Sequence, residues 1–170
     1  GLELQSKPGV FGWNKLDQGS ELLIKTIDTL AEKAVIDLGC GYGYISIAAK
    51  QKGATVVDAT DNNATAILTT EENFKLHEID GRVFASDCAI GSSKLYDVVL
   101  CNPPFHQGFS INDELSIKFL TQAKNLLNET GIAYFVVNSF IPLEKKATNY
   151  FSEIKVLADD KQFKVISLKI

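Results

Sequence analysis

Asn102-Pro103-Pro104-Phe105 brings an amide, backbone carbonyls and an aromatic ring together within four residues. It follows a short apolar run, Tyr96-Asp97-Val98-Val99-Leu100-Cys101, that reads as a buried parallel strand. Two consecutive prolines hold two φ angles at about −65° and remove two backbone donors, so the segment joins neither a ladder nor a helix. The residue before each proline is pushed to extended geometry too. A stiff loop at the carboxyl end of a strand is where open α/β sheets place their ligands. The chemistry that suits this set is the gripping of a planar group bearing an exocyclic amine. The Asn102 side-chain oxygen and the Pro103 carbonyl can each accept an N–H from one amine, while Phe105 stacks on the ring. The other reading is a tight loop with an N-cap and a core phenylalanine, and four residues alone do not separate the two.

A second chemistry-bearing stretch is Val35-Ile36-Asp37-Leu38-Gly39-Cys40-Gly41-Tyr42-Gly43, a strand running into a glycine-rich turn. Glycines there let the backbone approach a ligand and adopt positive φ. A dinucleotide fingerprint fails, because Tyr44 occupies the position of its last glycine. The pattern is D-x-G-x-G-x-G, and the carboxylate of Asp37 repels a pyrophosphate but attracts an ammonium. Roughly twenty residues past the second glycine stands Asp61, with Asn62 beside it, where an acid accepts both hydroxyls of a ribose. Asp58 is the rival, although it lies inside the strand. After the next strand, Asp87 can accept from an adenine amine and Cys88 can offer a backbone N–H. Ammonium, ribose and adenine together describe S-adenosylmethionine, with Asn102 bordering both cofactor and substrate. A surface turn with ordinary acids is the weaker reading, because four spaced features agree.

These residues need a scaffold that aligns strand ends. Strands are expected at 34–38, 54–60, 82–85, 96–101, 132–137, 154–158 and 163–169. Helices are expected at 19–31 (N-cap Ser20), 44–51, 64–77, 114–127 (closed by Gly131) and 143–151. Alternation of strand and helix predicts an α/β fold with a parallel sheet and right-handed crossovers. The last two strands are joined too closely for a crossover and must be antiparallel. Residues 1–15 read as an irregular lead-in or linker end, and 16–170 as one domain.

With 45% hydrophobic residues in 170, the chain can bury an ample core. No apolar run approaches the ~18 residues of a membrane span. Cys40, Cys88 and Cys101 show no ligand spacing, and His77 and His106 are far apart. This argues for free thiols in a reducing cytoplasm and against a disulfide framework or a metal site. A net charge of −4 argues against strong general affinity for nucleic acid. The lysines after Glu144 form a patch or, more simply, a solvated face. Beginning at Gly1 and lacking methionine, the chain is expected to be a processed product or fragment with a domain upstream.

Together, D-x-G-x-G-x-G, Asp61 and Asn102-Pro103-Pro104-Phe105 resemble the class I S-adenosylmethionine-dependent methyltransferases that act on exocyclic amines. Four segments narrow the resemblance: Pro8-Gly9-Val10-Phe11, Leu16-Asp17-Gln18-Gly19-Ser20, Asn102-Pro103-Pro104-Phe105-His106 and Phe163-Lys164-Val165. They are similar, in order and spacing, to the ribosomal RNA small-subunit methyltransferase C family and its large-subunit relative. The resemblance implies a Rossmann-like, seven-stranded sheet, mostly parallel with an antiparallel C-terminal hairpin strand. It implies methyl transfer to N2 of a guanine in ribosomal RNA or a ribosomal subunit, in the cytoplasm. It also implies a tandem protein of which this chain is the second, cofactor-binding half. Phe11, Asp17, His106 and Lys164 would stand near the substrate, though each could equally pack or face solvent. Asp87 departs from the pattern, since some members carry asparagine there. Methylation of a protein glutamine, of a small molecule, and a non-catalytic RNA-binding duplicate remain as alternatives.

Overall fold

The computed structural model describes residues 2–10, 15–105 and 112–170. The elements run α1 (Gln18–Thr26), β1 (Ala34–Leu38), α2 (Tyr44–Gln51), β2 (Val56–Asp61), α3 (Ala64–Leu76), β3 (Val83–Ala85) and β4 (Tyr96–Cys101). They continue with α4 (Asn112–Leu126), β5 (Leu127–Asn138), α5 (Leu143–Ala147), β6 (Glu153–Asp159) and β7 (Phe163–Lys169). The seven strands form one sheet in the order β3-β2-β1-β4-β5-β7-β6. Strands β1 to β5 are mutually parallel, and β7 runs antiparallel to both β5 and β6. The seven-stranded, mostly parallel α/β expectation stands.

Side chains of a strand alternate between faces, and the core follows that period. Val35, Val98 and Leu100 pack with α1, α2 and α3 through Leu23, Ile45, Ile47 and Phe74. Ile36, Leu38, Val99 and Cys101 pack on the other face with α4 and α5 through Phe119, Leu120 and Leu143. Both faces are covered, which is why these strands read as nearly continuous apolar runs.

Two expectations are corrected. Helix α1 is shorter than 19–31 and is capped by Asp17, whose carboxylate accepts from Ser20 N at 2.8 Å, so Ser20 lies inside the helix. Ile27 and Leu30 do keep buried positions, but Ile27 is already extended (φ −90, ψ 118). Gly131 does not close α4, which ends at Leu126, but lies within β5. There β5 bulges between its pairings Tyr96↔Leu127 and Val98↔Ile132. Residues 2–10 carry no helix or strand and lie against α3. Gln5 N donates to Asn73 Oδ1 of α3 at 2.7 Å, and Asn73 Nδ2 returns a bond to Gln5 O at 2.9 Å.

Candidate active site

Register brings the scattered motifs together. Leu38 of β1 pairs with Cys101 of β4 and with Thr60 of β2, so Gly39, Asn102 and Asp61 emerge side by side at the carboxyl edge. Asp61 pairs with Ala85 of β3, which brings Ser86 and Asp87 to the same edge. Between β1 and β4 the chain order reverses, the switch point where such sheets bind ligands. A cavity of about 530 Å³ opens there, within the range of small-molecule sites. Gly39, Cys40, Gly41, Asp61, Asn62, Asp87, Cys88, Asn102, Pro103 and Asp17 all stand on its wall.

The glycine turn is built by backbone geometry that side chains resist. Gly39 and Gly41 have φ of +80° and +56°. Thr60 O accepts from both Gly39 N (2.9 Å) and Cys40 N (3.0 Å), and Asp61 Oδ2 accepts from Gly41 N at 2.9 Å. Asp61 Oδ1 accepts from Asn63 N at 2.9 Å. Each carboxylate oxygen retains a further lone pair, so the acid can still take two ligand hydroxyls. Asp58, the rival, has its oxygens taken by Arg82 N, Lys94 Nζ and Tyr96 Oη and lies off the wall. Gly43 is also off the wall. It starts α2 at φ +90°, and a Cβ there would meet Thr70 at 3.1 Å.

Asp37 lies beneath the turn, fully buried and not on the wall. Its Oδ2 accepts from Ser46 Oγ of α2 at 2.6 Å, and its Oδ1 has no partner among the described residues. Burial pushes its carboxyl up to about 7, against the Ser46 hydrogen bond and with help from the charge of Asp61. Asp87, half exposed, pairs with Lys118 of α4, and Cys88 takes a left-handed backbone at φ +52°.

Asn102 is held from one side. Its Nδ2 donates to Asp17 Oδ2 at 2.6 Å and to Ser20 Oγ at 3.0 Å. Pro103 O accepts from Phe105 N at 2.8 Å, leaving that carbonyl one lone pair. Phe105 is not a wall residue. Its ring is 3% exposed and packs edge-to-face on Phe119, centroids 5.9 Å apart, in the core under α4. The aromatic stacking surface expected of Phe105 is therefore placed elsewhere, and Pro104 is the loop's exposed wall residue. Lys164 is off the wall as well. Sharing the face of Ile166 and Leu168, it is 5% exposed and pairs with Glu144 of α5 at 2.8 Å. Phe11 and His106 lie outside the described residues.

A family pattern, the methyltransferase small domain, matches residues 1–167. The chain belongs to that family. As a methyltransferase small domain it is 36% identical over 169 residues to ribosomal RNA small subunit methyltransferase C of Haemophilus influenzae (strain PittGG), covering 99% of this chain and 51% of that protein. The protein of the same name from Vibrio vulnificus (strain CMCP6) is 36% identical over 165 residues, covering 96% of this chain and 48% of that protein. The chain thus spans about half the length of the curated relatives it matches. Among solved structures, a T. thermophilus 16S rRNA N2 methyltransferase in complex with AdoMet and guanosine superposes with a TM-score of 0.87 at 25% identity, over 96% of this chain and 46% of that one. A methyltransferase from Pyrococcus furiosus shares the fold, with a TM-score of 0.80 at 16% identity over 99% and 89% of the two chains.

Several wall residues of this methyltransferase small domain escape sequence reasoning. Gly9 and Val10 reach the cavity because the 2–10 strap crosses α3, where Asn63 Nδ2 donates to Gly9 O at 3.3 Å. Leu115 and Phe119 come from α4; their four-residue spacing marks one helix face but not which cavity it borders. Ser20 could have been found through its place in Leu16-Asp17-Gln18-Gly19-Ser20, had Asp17 been read as the cap.

Proposed function

We propose that this chain transfers a methyl group from S-adenosylmethionine to the exocyclic N2 amine of a guanine in ribosomal RNA. The observation that carries this reading is the sharing of one cavity by Asn102, an acceptor suited to an amine, and Asp61, an acceptor suited to a diol. The residues present fit the cofactor. Asp61 has lone pairs for the ribose, Asp87 and Cys88 on the same wall offer an acceptor and a backbone N–H for an adenine, and Asp37, buried beneath the glycine turn with Oδ1 unpartnered, does not reach the wall where an ammonium would sit. When bound, the cofactor supplies a methyl carbon activated by a sulfonium leaving group.

The chain's own part is alignment and electrostatics. A guanine amine is a weak nucleophile because its lone pair is delocalised into the ring. Asn102 Oδ1 and the remaining lone pair of Pro103 O hold its two protons, which favours a pyramidal nitrogen as bonding to the methyl begins. The methylated aminium is itself a strong acid, so no strong general base is needed. The base, taken out of its stack, rests against the exposed ring of Pro104. A net charge of −4 offers few phosphate contacts, so chain beyond the half shared with the relatives contributes to holding the RNA. The reaction takes place in the reducing cytoplasm, which suits three free thiols.

Radiolabelled S-adenosylmethionine incubated with ribosomal subunits, stripped ribosomal RNA and release factors tests this. Label is expected in N2-methylguanosine of the RNA, and Asn102→Ala should lower kcat and kcat/KM together by about 10²–10³-fold. Label found in a protein glutamine instead would overturn the substrate assignment.

A further inference from the structure

An asparagine amide offers two nearly isosteric ends, an acceptor and a donor. A target amine needs the acceptor. If the amide turns over, its own N–H groups face those of the amine and the grip becomes a repulsion. Nothing intrinsic to Asn102 chooses between the two states, so the choice lies with its neighbours.

We propose that Asp17 is a positioning residue that locks the Asn102 amide with its oxygen toward the target amine. The proposal deepens the function assigned above and rests on it. Both protons of Asn102 Nδ2 are taken, one by Asp17 Oδ2 at 2.6 Å and one by Ser20 Oγ at 3.0 Å. The two partners differ in kind. A serine hydroxyl rotates and serves either end of an amide, so Ser20 does not discriminate. A carboxylate only accepts. Turning the amide over would set Oδ1 against Asp17 Oδ2 at the same short separation, two acceptors with no proton between them. The contact also polarises the amide, drawing electron density onto Oδ1 as positive charge develops on the amine nitrogen.

Asp17 is itself held. Its Oδ2 accepts from Ser20 N at 2.8 Å as the cap of α1, so one oxygen serves both the helix and the amide. Gly19 lets this happen: a Cβ there would meet the Phe163 ring at 3.2 Å and Asp17 Oδ2 at 3.3 Å. Two of the sequence segments singled out above, Leu16 to Ser20 and Phe163 to Val165, thus meet at Gly19 behind Asn102. Phe163 and Lys164 point to opposite faces of β7, and it is Phe163 that touches this assembly.

The test uses substitutions that keep a capping side chain, since asparagine and serine both cap helices. Asp17→Asn and Asp17→Ser should keep the melting temperature and the affinity for S-adenosylhomocysteine near wild type. Both should lower kcat and kcat/KM by about 10- to 100-fold, the scale of one charge-assisted hydrogen bond. The deciding arm is the Asn102→Asp background, which has no amide to orient and sets two carboxylates together. There Asp17→Asn should raise activity instead of lowering it. A substrate-free readout keeps this separate from the ribosomal RNA assignment. In the wild type, 15N spectra of the S-adenosylhomocysteine complex should show the Asn102 NH2 pair downfield and protected from exchange, and Asp17→Asn should release it. A locked amide in a protein that methylates no RNA would overturn the substrate and leave the lock standing. Equal losses from Asp17→Asn in both backgrounds, or an unprotected amide in the wild type, would reduce Asp17 to a helix cap and overturn the proposal.

Discussion

Asp61 carries two structural loads before any ligand arrives, fixing Gly41 N and Asn63 N at 2.9 Å each. Both donors sit near solvent, so their loss is met by water. In the proposed cofactor complex the ribose hydroxyls would have no such substitute. Asp61→Ala should therefore weaken S-adenosylhomocysteine binding at least about 100-fold by calorimetry, with little change in melting temperature. Asp37 differs in that its cost is paid by the fold. Its carboxyl sits at about 7, above the unfolded value of about 3.9. The native state thus holds an extra proton between those values, and the group's contribution to stability falls as pH rises from about 4 to about 7. The whole window amounts to at most about 4 kcal/mol. Asp37→Asn should flatten the melting temperature across that window, which thermal scans at pH 5 and pH 8 would show. At this scale the sequence was informative where backbone geometry or charge dictates the residue type. Gly39, Gly41, Asp61 and Asn102 all reach the wall. Phe105 and Lys164 do not, because which way a side chain leaves a loop or strand depends on what α4 and α5 bring against it.

The elements were legible in their apolar runs and less so at their ends. β1, α2, β4 and β7 begin and end where periodicity predicts. Helix α1 ends early because Ile27 and Leu30 are buried from an extended segment, with Leu30 N bonded to Lys52 O at 3.0 Å, although their spacing mimics a helix. Gly131 reads as a helix terminator, yet its job is to let β5 fold over Asp97. Asp97 accepts from Ala34 N at 2.8 Å and Asn128 Nδ2 at 2.6 Å, tying three segments at the amino edge. A Cβ on Gly131 would meet Leu127 Cδ2 at 2.8 Å and Asp97 O at 3.1 Å. Gly131→Ala should cost about 1–3 kcal/mol in denaturant unfolding, by overpacking. Affinity of the folded protein for S-adenosylhomocysteine should not change, because the cavity is at the opposite edge.

For the whole molecule, chain order alone suggests the sheet up to β5, since parallel strands with right-handed crossovers admit few arrangements. The insertion of β7 between β5 and β6 is a long-range choice that no local pattern records. It leaves β6 as an edge, where Val156 and Leu157 are exposed and a bulge with flanking Lys155 and Glu153 discourages strand pairing. The least legible part was the strap of residues 2–10, which has no periodicity and is ordered only by what it crosses. Asn73 bonds Gln5 on one side and Tyr42 O of the glycine turn at 2.7 Å on the other. Gly9 and Val10 line the cavity, so the strap's tethers are expected to influence how fast a spent cofactor leaves. Gln5→Pro deletes one tether, the N–H to the buried Asn73 Oδ1, and leaves the return bond from Asn73 Nδ2 to Gln5 O. Stopped-flow measurement should find S-adenosylhomocysteine leaving about five times faster and arriving at an unchanged rate. Turnover limited by that departure would then quicken in a variant that binds its product less well.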